Sequence, residues 1–322
     1  MAKRGDGKVK GESSELSWPV ETIFLAINFA FVDRILGHEG RGRKGYKPSV
    51  LFKCLLLVYL GYCPSIRRMV DKLRHNQRLA EVIGLPLKDG VYRVPDRTTY
   101  SKFISRAGAV RFALVFVVFV MAAIHAGIIN GKRIAVDATL IWAWSNPYKK
   151  KPSDKDARWG VKRKTKKKTV KVFGYKVHVV VDAKTELPIA FYVTSGNRSE
   201  TKIFWKLLAM FLVFGLRTTK VLADAAYDVN DIREAIIRIL RAVPLIAINT
   251  RNTKGRSEKE KKRKRTKALR AWYKMEGLLA HYVRPRSVKF KGVFKERTTV
   301  ERNHSNGKGQ YHLDTLRFRG LE

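Results

Sequence analysis

Apolar residues change their spacing near residue 132, and that change limits the fold more than any other feature of the chain. Up to about Gly127 they recur at helical intervals; from Lys132 they gather in short β-branched runs. The first stretch predicts helices over 20–36, 48–62, 65–77 and 98–106, with Ser65 as the N-cap of the third. The second predicts strands over 133–137, 174–181, 188–193, 220–223 and 243–248, with helices over 201–216 and 230–241 and one more near the end. The link D-A-K-T-E-L-P at 182–188 predicts a hairpin between the second and third strands. The expected fold class is α/β, a mixed sheet flanked by helices and preceded by an all-helical N-terminal domain. Residues 1–16 read as a flexible basic lead, 17–128 as the helical domain and 129–322 as the sheet domain.

One run, 112–129, is apolar apart from His125, and its 18 residues sit at the lower limit for a membrane span. It leads straight into a strand pattern, has no second span to pair with and carries a His and a Gly in its last third, so it predicts a buried helix. No membrane partner is expected. Cys54 and Cys63 lack a metal-ligand spacing and read as reduced thiols. The polar start M-A-K-R-G-D-G-K has no apolar signal core. Together they predict a cytoplasmic, nucleoid-associated protein.

The chain carries 67 Lys and Arg against 27 Asp and Glu, a formal net charge of +40. A field of that sign draws in phosphate backbones, so nucleic acid is the leading partner, ahead of an anionic membrane surface. Segment 149–171 holds a dozen Lys and Arg around Trp159, and 251–270 is of similar density, followed by Trp272 and Tyr273. Blocks like these are usually flexible until a ligand binds, and beside aromatics they suit tracking a DNA backbone. The pair of helices at 48–62 and 65–77 has the outline of a helix-turn-helix, its second member presenting Arg67, Arg68, Lys72 and Arg74. The alternative is a packing and dimerisation domain with a basic face.

Asp137 and Asp224 each follow an apolar strand-like run, where functional groups of an α/β sheet project into a crevice. In F-K-E-R-T-T-V-E-R-N-H-S-N-G-K at 294–308, Arg297 and Glu301 stand four apart and Lys308 seven further on, one face of a helix. That face is either a solvated charge ladder or the third part of a metal site. Three convergent carboxylates repel one another and persist where divalent cations neutralise them; hard oxygen ligands beside phosphates suit Mg²⁺. His178 reads as a structural histidine of a strand, and His304 as a neighbour of the acidic face.

These pieces resemble the insertion-sequence DDE transposases of the group marked by a Y-R-E-K signature. The matching motifs are D-A-T at 137–139, G-Y-K-V-H at 174–178 through S-G-N at 195–197, D-A-A-Y-D at 224–228 and R-T-T-V-E-R-N-H-S-N-G-K at 297–308. G-Y-K-P-S and V-P-D-R-T-T-Y-S-K-F extend the likeness into the N-terminal half. The resemblance implies an RNase H-like core and two Mg²⁺ (or Mn²⁺) ions. Asp137 would bridge both, Asp224 would hold one and Glu301 the other. Arg297 and Lys308 would contact transposon-end phosphates. Phe294 stands where the pattern has tyrosine; it keeps a stacking face and lacks the hydroxyl. The implied activity is hydrolysis of phosphodiester bonds at transposon ends and transfer of the 3′-hydroxyl into target DNA. The implied partners are double-stranded DNA, with terminal inverted repeats and target, and a second copy in a synaptic homodimer. The rivals are a stand-alone nuclease on the same core and a non-catalytic DNA-binding protein derived from a transposase.

Overall fold

The structure is a computed structural model, which describes residues 20–37, 45–163, 169–249, 257–277, 282–284, 287–311 and 313, without side chains at 162–163, 258–259, 261–262 and 265. The basic lead at 1–16 and a part of each basic segment, 164–168 and 250–256, lie outside these residues. The chain divides into two compact units between Val115 and Phe116.

The first unit is helical: α1 Val20–Ala26, α2 Ala30–Leu36, α3 Pro48–Tyr59, α4 Ile66–His75, α5 Gln77–Ile83 and the first part of α6 Arg97–His125. The expected helix over 20–36 is two. The Asn28 side chain accepts a hydrogen bond from the Ala30 N–H at 3.0 Å, a local bond that competes with continuing the helix. Asp33 then ties α2 to α3 by accepting from both the N–H and the hydroxyl of Ser49. Ser65 caps α4 as expected, accepting from Arg68 N–H at 3.3 Å. Asn76 stops α4 and caps α5 through Leu79 N–H. The short hairpin β1 Leu87–Lys88 and β2 Val91–Tyr92 turns at Asp89 and Gly90, both with positive φ, the backbone a tight two-residue turn requires.

Helix α6 joins two stretches that the sequence predicts separately. It breaks at Gly108, whose φ of 68° and ψ of 164° only glycine adopts freely. By length and composition it is the one helix among the described residues able to cross a membrane. Burial is less complete than expected: Val115 and Val120 are enclosed, whereas Val110, Leu114 and Met121 are exposed.

The second unit is built on a six-stranded sheet, β3 Arg133–Trp142, β4 Arg158–Arg163, β5 Thr169–Asp182, β6 Pro188–Ser195, β7 Lys220–Ala223 and β8 Val243–Ile246. Its order is β4-β5-β3-β7-β8, with β6 also paired to β5. β3, β7 and β8 run parallel; β5 is antiparallel to β3, β4 and β6. This is the expected mixed sheet. On one face α7 Glu200–Leu212, α8 Asn230–Arg238 and the end of α6 bury Phe204, Leu207, Phe211, Ile232 and Ile236 against Ile134 and Val136. On the other, α10 Val288–Phe294 and α11 Thr298–Gly309 bring Phe290 and Val300 onto Ala135, Val179 and Leu222.

Three features depart from expectation. β3 does not stop at Asp137 but continues through Thr139 and Ile141 to Trp142, paired residue by residue with β5. β4 lies inside the basic segment, and much of the second basic segment is helix α9 Glu258–Met275, capped by Ser257 and anchored by buried Leu269 and Tyr273. The end of β6 meets β4 closely. A Cβ on Gly196 would lie 2.6 Å from the Arg158 carbonyl oxygen, and one on Gly160 2.7 Å from that of Gly196. Glycine is what lets these backbones meet, a physical reason for the S-G-N motif.

Candidate active site

The sheet register assembles the first two carboxylates. Val136 of β3 pairs in parallel with Ala223, the last residue of β7. The next residues on the two strands, Asp137 and Asp224, are therefore neighbours. Asp137 shares its sheet face with Ala135 and Ile141, the face on which α10 and α11 pack. Asp224 leaves the strand and caps the single 3₁₀ turn Ala225–Tyr227, accepting from Ala226 N–H at 2.8 Å.

The electrostatics follow from that crowding. Burial raises the Asp137 pKa, and the charges of Asp224 and Glu200 add to the rise against the opposing pull of the Ala138 N–H and Arg297; the result is about 7. Glu200, which belongs to none of the sequence motifs, opens α7 and pairs with Lys176 at 3.2 Å. An acid in the first turn of a helix looks like an ordinary response to the helix dipole, so nothing in the sequence set it apart. Tyr227 is fully buried, with a hydroxyl that makes no hydrogen bond, and its pKa is raised by burial and then by Glu200, Asp137 and Asp224.

The late segment reaches the same face as two helices joined by a 3₁₀ turn at Lys295–Arg297, rather than as one. Helix α11 is pinned along its length. Arg302 and Asn303 bond to Glu186 in the β5–β6 turn, at 2.6 and 2.9 Å, and Lys308 Nζ donates to the Leu140 carbonyl of β3 at 2.5 Å. Arg133 at the start of β3 holds Glu296 of the preceding turn at 2.6 Å. The side chain of α11 brought against Asp137 is His304, whose Nε2 lies 3.9 Å from Oδ2. Glu301, one turn earlier, is half exposed and pairs with Arg297 at 2.5 Å. Among the described residues no three Asp, Glu, His or Cys side chains gather closely enough to hold a metal ion. The structure thus joins Asp137 to Asp224 and leaves Glu301 in an ion pair on the adjoining helix.

The remaining predicted residues are placed as follows. Phe294 stacks on Phe290 with centroids 5.0 Å apart, and the Arg297 guanidinium lies 5.7 Å from its ring centre. Arg67, Arg68 and Lys72 are exposed on α4, in the first unit. His178 is fully buried in β5 beside the Thr194 hydroxyl at 3.0 Å; burial first, then the charges of Lys176 and His304, lowers its pKa to about 4 and keeps it neutral.

The family model described as Transposase DDE domain matches residues 130–322, and one described as Transposase domain matches residues 9–106. The chain belongs to the DDE transposases. Among solved structures it is similar to piggyBac transposase in a synaptic complex with hairpin DNA, at 11% identity and a TM-score of 0.34, over 74% of this chain and 54% of that one. The DDE transposase thus spans about half the length of the piggyBac chain. It is also similar to the Mos1 strand transfer complex, at 11% identity and a TM-score of 0.24, over 88% of this chain and 82% of that one. The Mos1 paired-end complex with the left transposon end gives 10% identity and a TM-score of 0.23, with the same coverage. No curated protein matches the sequence.

Proposed function

We propose that this transposase cuts phosphodiester bonds at the ends of a mobile DNA element and joins the freed 3′-hydroxyl to target DNA. Asp137, Asp224 and Glu301 would hold two Mg²⁺ or Mn²⁺ ions. The single observation that carries this reading is the parallel pairing of β3 and β7, which makes neighbours of two aspartates 87 positions apart.

The donor set fits such ions. All three side chains are hard carboxylates, with no thiolate among them, the chemistry of Mg²⁺ and Mn²⁺ sites. Burial and like charge keep the proton on Asp137 up to about pH 7; a cation would serve in the proton's place. Glu301 is tied up by Arg297, yet a partly exposed i,i+4 pair is worth at most about 1 kcal/mol, far less than a metal contact. Bound divalent ions supply Lewis acidity and an activated oxygen nucleophile for in-line displacement at phosphorus. The chain's own residues do the rest. Arg297 and Lys308, on one stretch of α11 and the turn before it, offer cations to the phosphates beside the cut bond. Arg67, Arg68 and Lys72 give the first unit a basic helix for the terminal repeats. Two ends must be held together, so the working form is a homodimer, acting on DNA of the nucleoid.

The test is an assay with Mg²⁺, precut duplexes carrying the DNA that flanks this gene, and a supercoiled target plasmid. The expected product is a joined end, absent with Asp137→Asn although a mobility shift shows that the variant still binds. Hydrolysis with no joined product would make the chain a nuclease. Binding with no cleavage would make it a DNA-binding relative, and full activity in Asp137→Asn would overturn the proposed site.

A further inference from the structure

The basic segment after β3 carries a feature the active site does not use. Four aromatic side chains stand on the surface here: Trp142, Trp144, Tyr148 and Trp159, with Tyr148 86% exposed. Large apolar rings in water are costly, at about 25 cal/mol per Å² left uncovered, and a group of them on a heavily charged loop calls for an occupant. Trp159 is rooted in the fold: its ring meets buried Phe173 edge to face at 5.5 Å. Tyr148 in turn lies 6.1 Å from Trp159, tilted 57°, and presents its outer face to solvent.

The loop that carries Tyr148 is held still. Asp154, 2% exposed, accepts the buried Tyr175 hydroxyl at 2.6 Å and the N–H groups of Asp156 and Ala157. Ser145 bonds Ser153 and the Asp154 N–H, and Asn146 accepts from Tyr148 N–H at 3.0 Å. Much of the entropy of ordering this surface is therefore spent on folding rather than on binding. Lys149, Lys150, Lys151, Lys155 and Arg158 are exposed around it. Rings set among cations match a nucleic-acid strand, bases on the rings and phosphates on the ammonium groups. A paired duplex hides its base faces, so the match is to unpaired nucleotides.

We infer that Tyr148 and Trp159, with Lys149, Lys150 and Lys151, form a stacking site for single-stranded DNA next to the active site. The inference rests on the proposed DNA substrate. Its place on the sheet supports it: Asp137 pairs with Val179 of β5 and Trp159 with Phe173, six residues away on the same strand, so the two side chains stand on one sheet face about 20 Å apart at the usual rise of a strand, with Lys308 bonded to the Leu140 carbonyl of β3. A strand leaving the carboxylate pair along this face toward β4 meets a cation and then aromatic faces. Opening or cutting an element end releases such unpaired nucleotides.

The experiment measures anisotropy of a labelled 20-nucleotide single strand of thymidines and of a labelled random duplex, with Trp fluorescence as a second readout, on the full chain. Wild type should bind both, the single strand quenching Trp emission. Tyr148→Ala should weaken the single strand about tenfold, as loss of one stacking ring does, and leave the duplex within about twofold. Tyr148→Phe should restore single-strand binding, because the ring face carries the contact. Tyr148 is so exposed that neither change threatens the fold. Equal losses for both DNAs, or an unchanged single-strand affinity, would overturn the stacking site while leaving the transposase reading intact. A wild type that binds neither DNA would overturn both.

Discussion

Two aspartates on adjoining strands meet opposite fates. Asp182 closes β5 and Asp137 lies in the middle of β3, and neither is more than slightly exposed. Burial alone would raise the pKa of Asp182, yet N–H groups of Gly131, Thr185, Lys184 and Asn130 all donate to it and hold it below the usual carboxylate range. Asp137 receives one such N–H, from Ala138, and faces Asp224 and Glu200. The same side chain is a joint of the fold where its lone pairs are filled. Where its charge is opposed, as at Asp137, it is the carboxylate that the proposed function assigns to a cation. A carboxylate of the second kind costs stability in the free protein, which a binding site tolerates and a structural turn does not.

The largest effect that separates the two is on activity. Asp137→Asn and Asp224→Asn should each lower end cleavage at least about 10³-fold, measured in single turnover with Mg²⁺, with no loss of stability at pH 7. Residual cleavage within tenfold of wild type would break the comparison from the active-site side.

Next comes the support behind Asp224. Arg233 and Asp228, 2% and 3% exposed, pair at 2.9 Å, Arg233 donates to the Ile246 carbonyl and Asp228 accepts from Asn249 N–H. The network ties the turn after Asp224 to the end of β8. Arg233→Met leaves a buried charge uncompensated and should cost about 3–5 kcal/mol in urea unfolding. Asp182→Ala should cost less, about 2–3 kcal/mol, because water can reach some of the freed N–H groups. A neutral Asp182→Ala would show that the filled lone pairs carry no stability.

This contrast was only partly legible in the chain. The strand runs 188–193 and 220–223 and the Ser65 cap follow from local pattern, and Asp224 reads as a strand end because K-V-L-A stops there. Asp137 looked like a strand end as well, because a charge interrupted an apolar run; the pairing of Thr139 with Val177 and Ile141 with Tyr175 carries β3 past it. β4 was hidden because R-W-G-V-K-R alternates only weakly within a run of cations. Lys and Arg are good helix formers, so the same density that suggested a loop at 251–270 supports α9. Asp182 looked like any turn residue, since its partners at 130 and 131 are 52 and 51 positions away in the chain. The i,i+4 spacing of Arg297 and Glu301 was legible, but which partner Glu301 would choose was not.

The smallest effect is the most direct test of the comparison, because it follows both aspartates in one titration. In metal-free protein, Asp137 binds its proton more tightly folded than unfolded, with a pKa of about 7 against 3.8. Its contribution to stability is therefore fully present below about pH 4 and lost as pH rises toward 7. Asp182 has its pKa lowered by folding, so its contribution is present above the ordinary carboxylate range and lost as pH falls through its folded value. Urea unfolding from pH 3 to pH 8 should then show Asp137→Asn gaining on wild type as pH rises toward 7, and Asp182→Asn losing ground over the lower part of the range. Millimolar Mg²⁺ should erase the Asp137→Asn advantage by stabilising wild type alone, since a cation that binds the folded site adds to its stability by mass action. It should leave the Asp182→Asn difference where it was. Parallel curves for the two variants, or a Mg²⁺ effect on both, would mean that the two carboxylates do the same job.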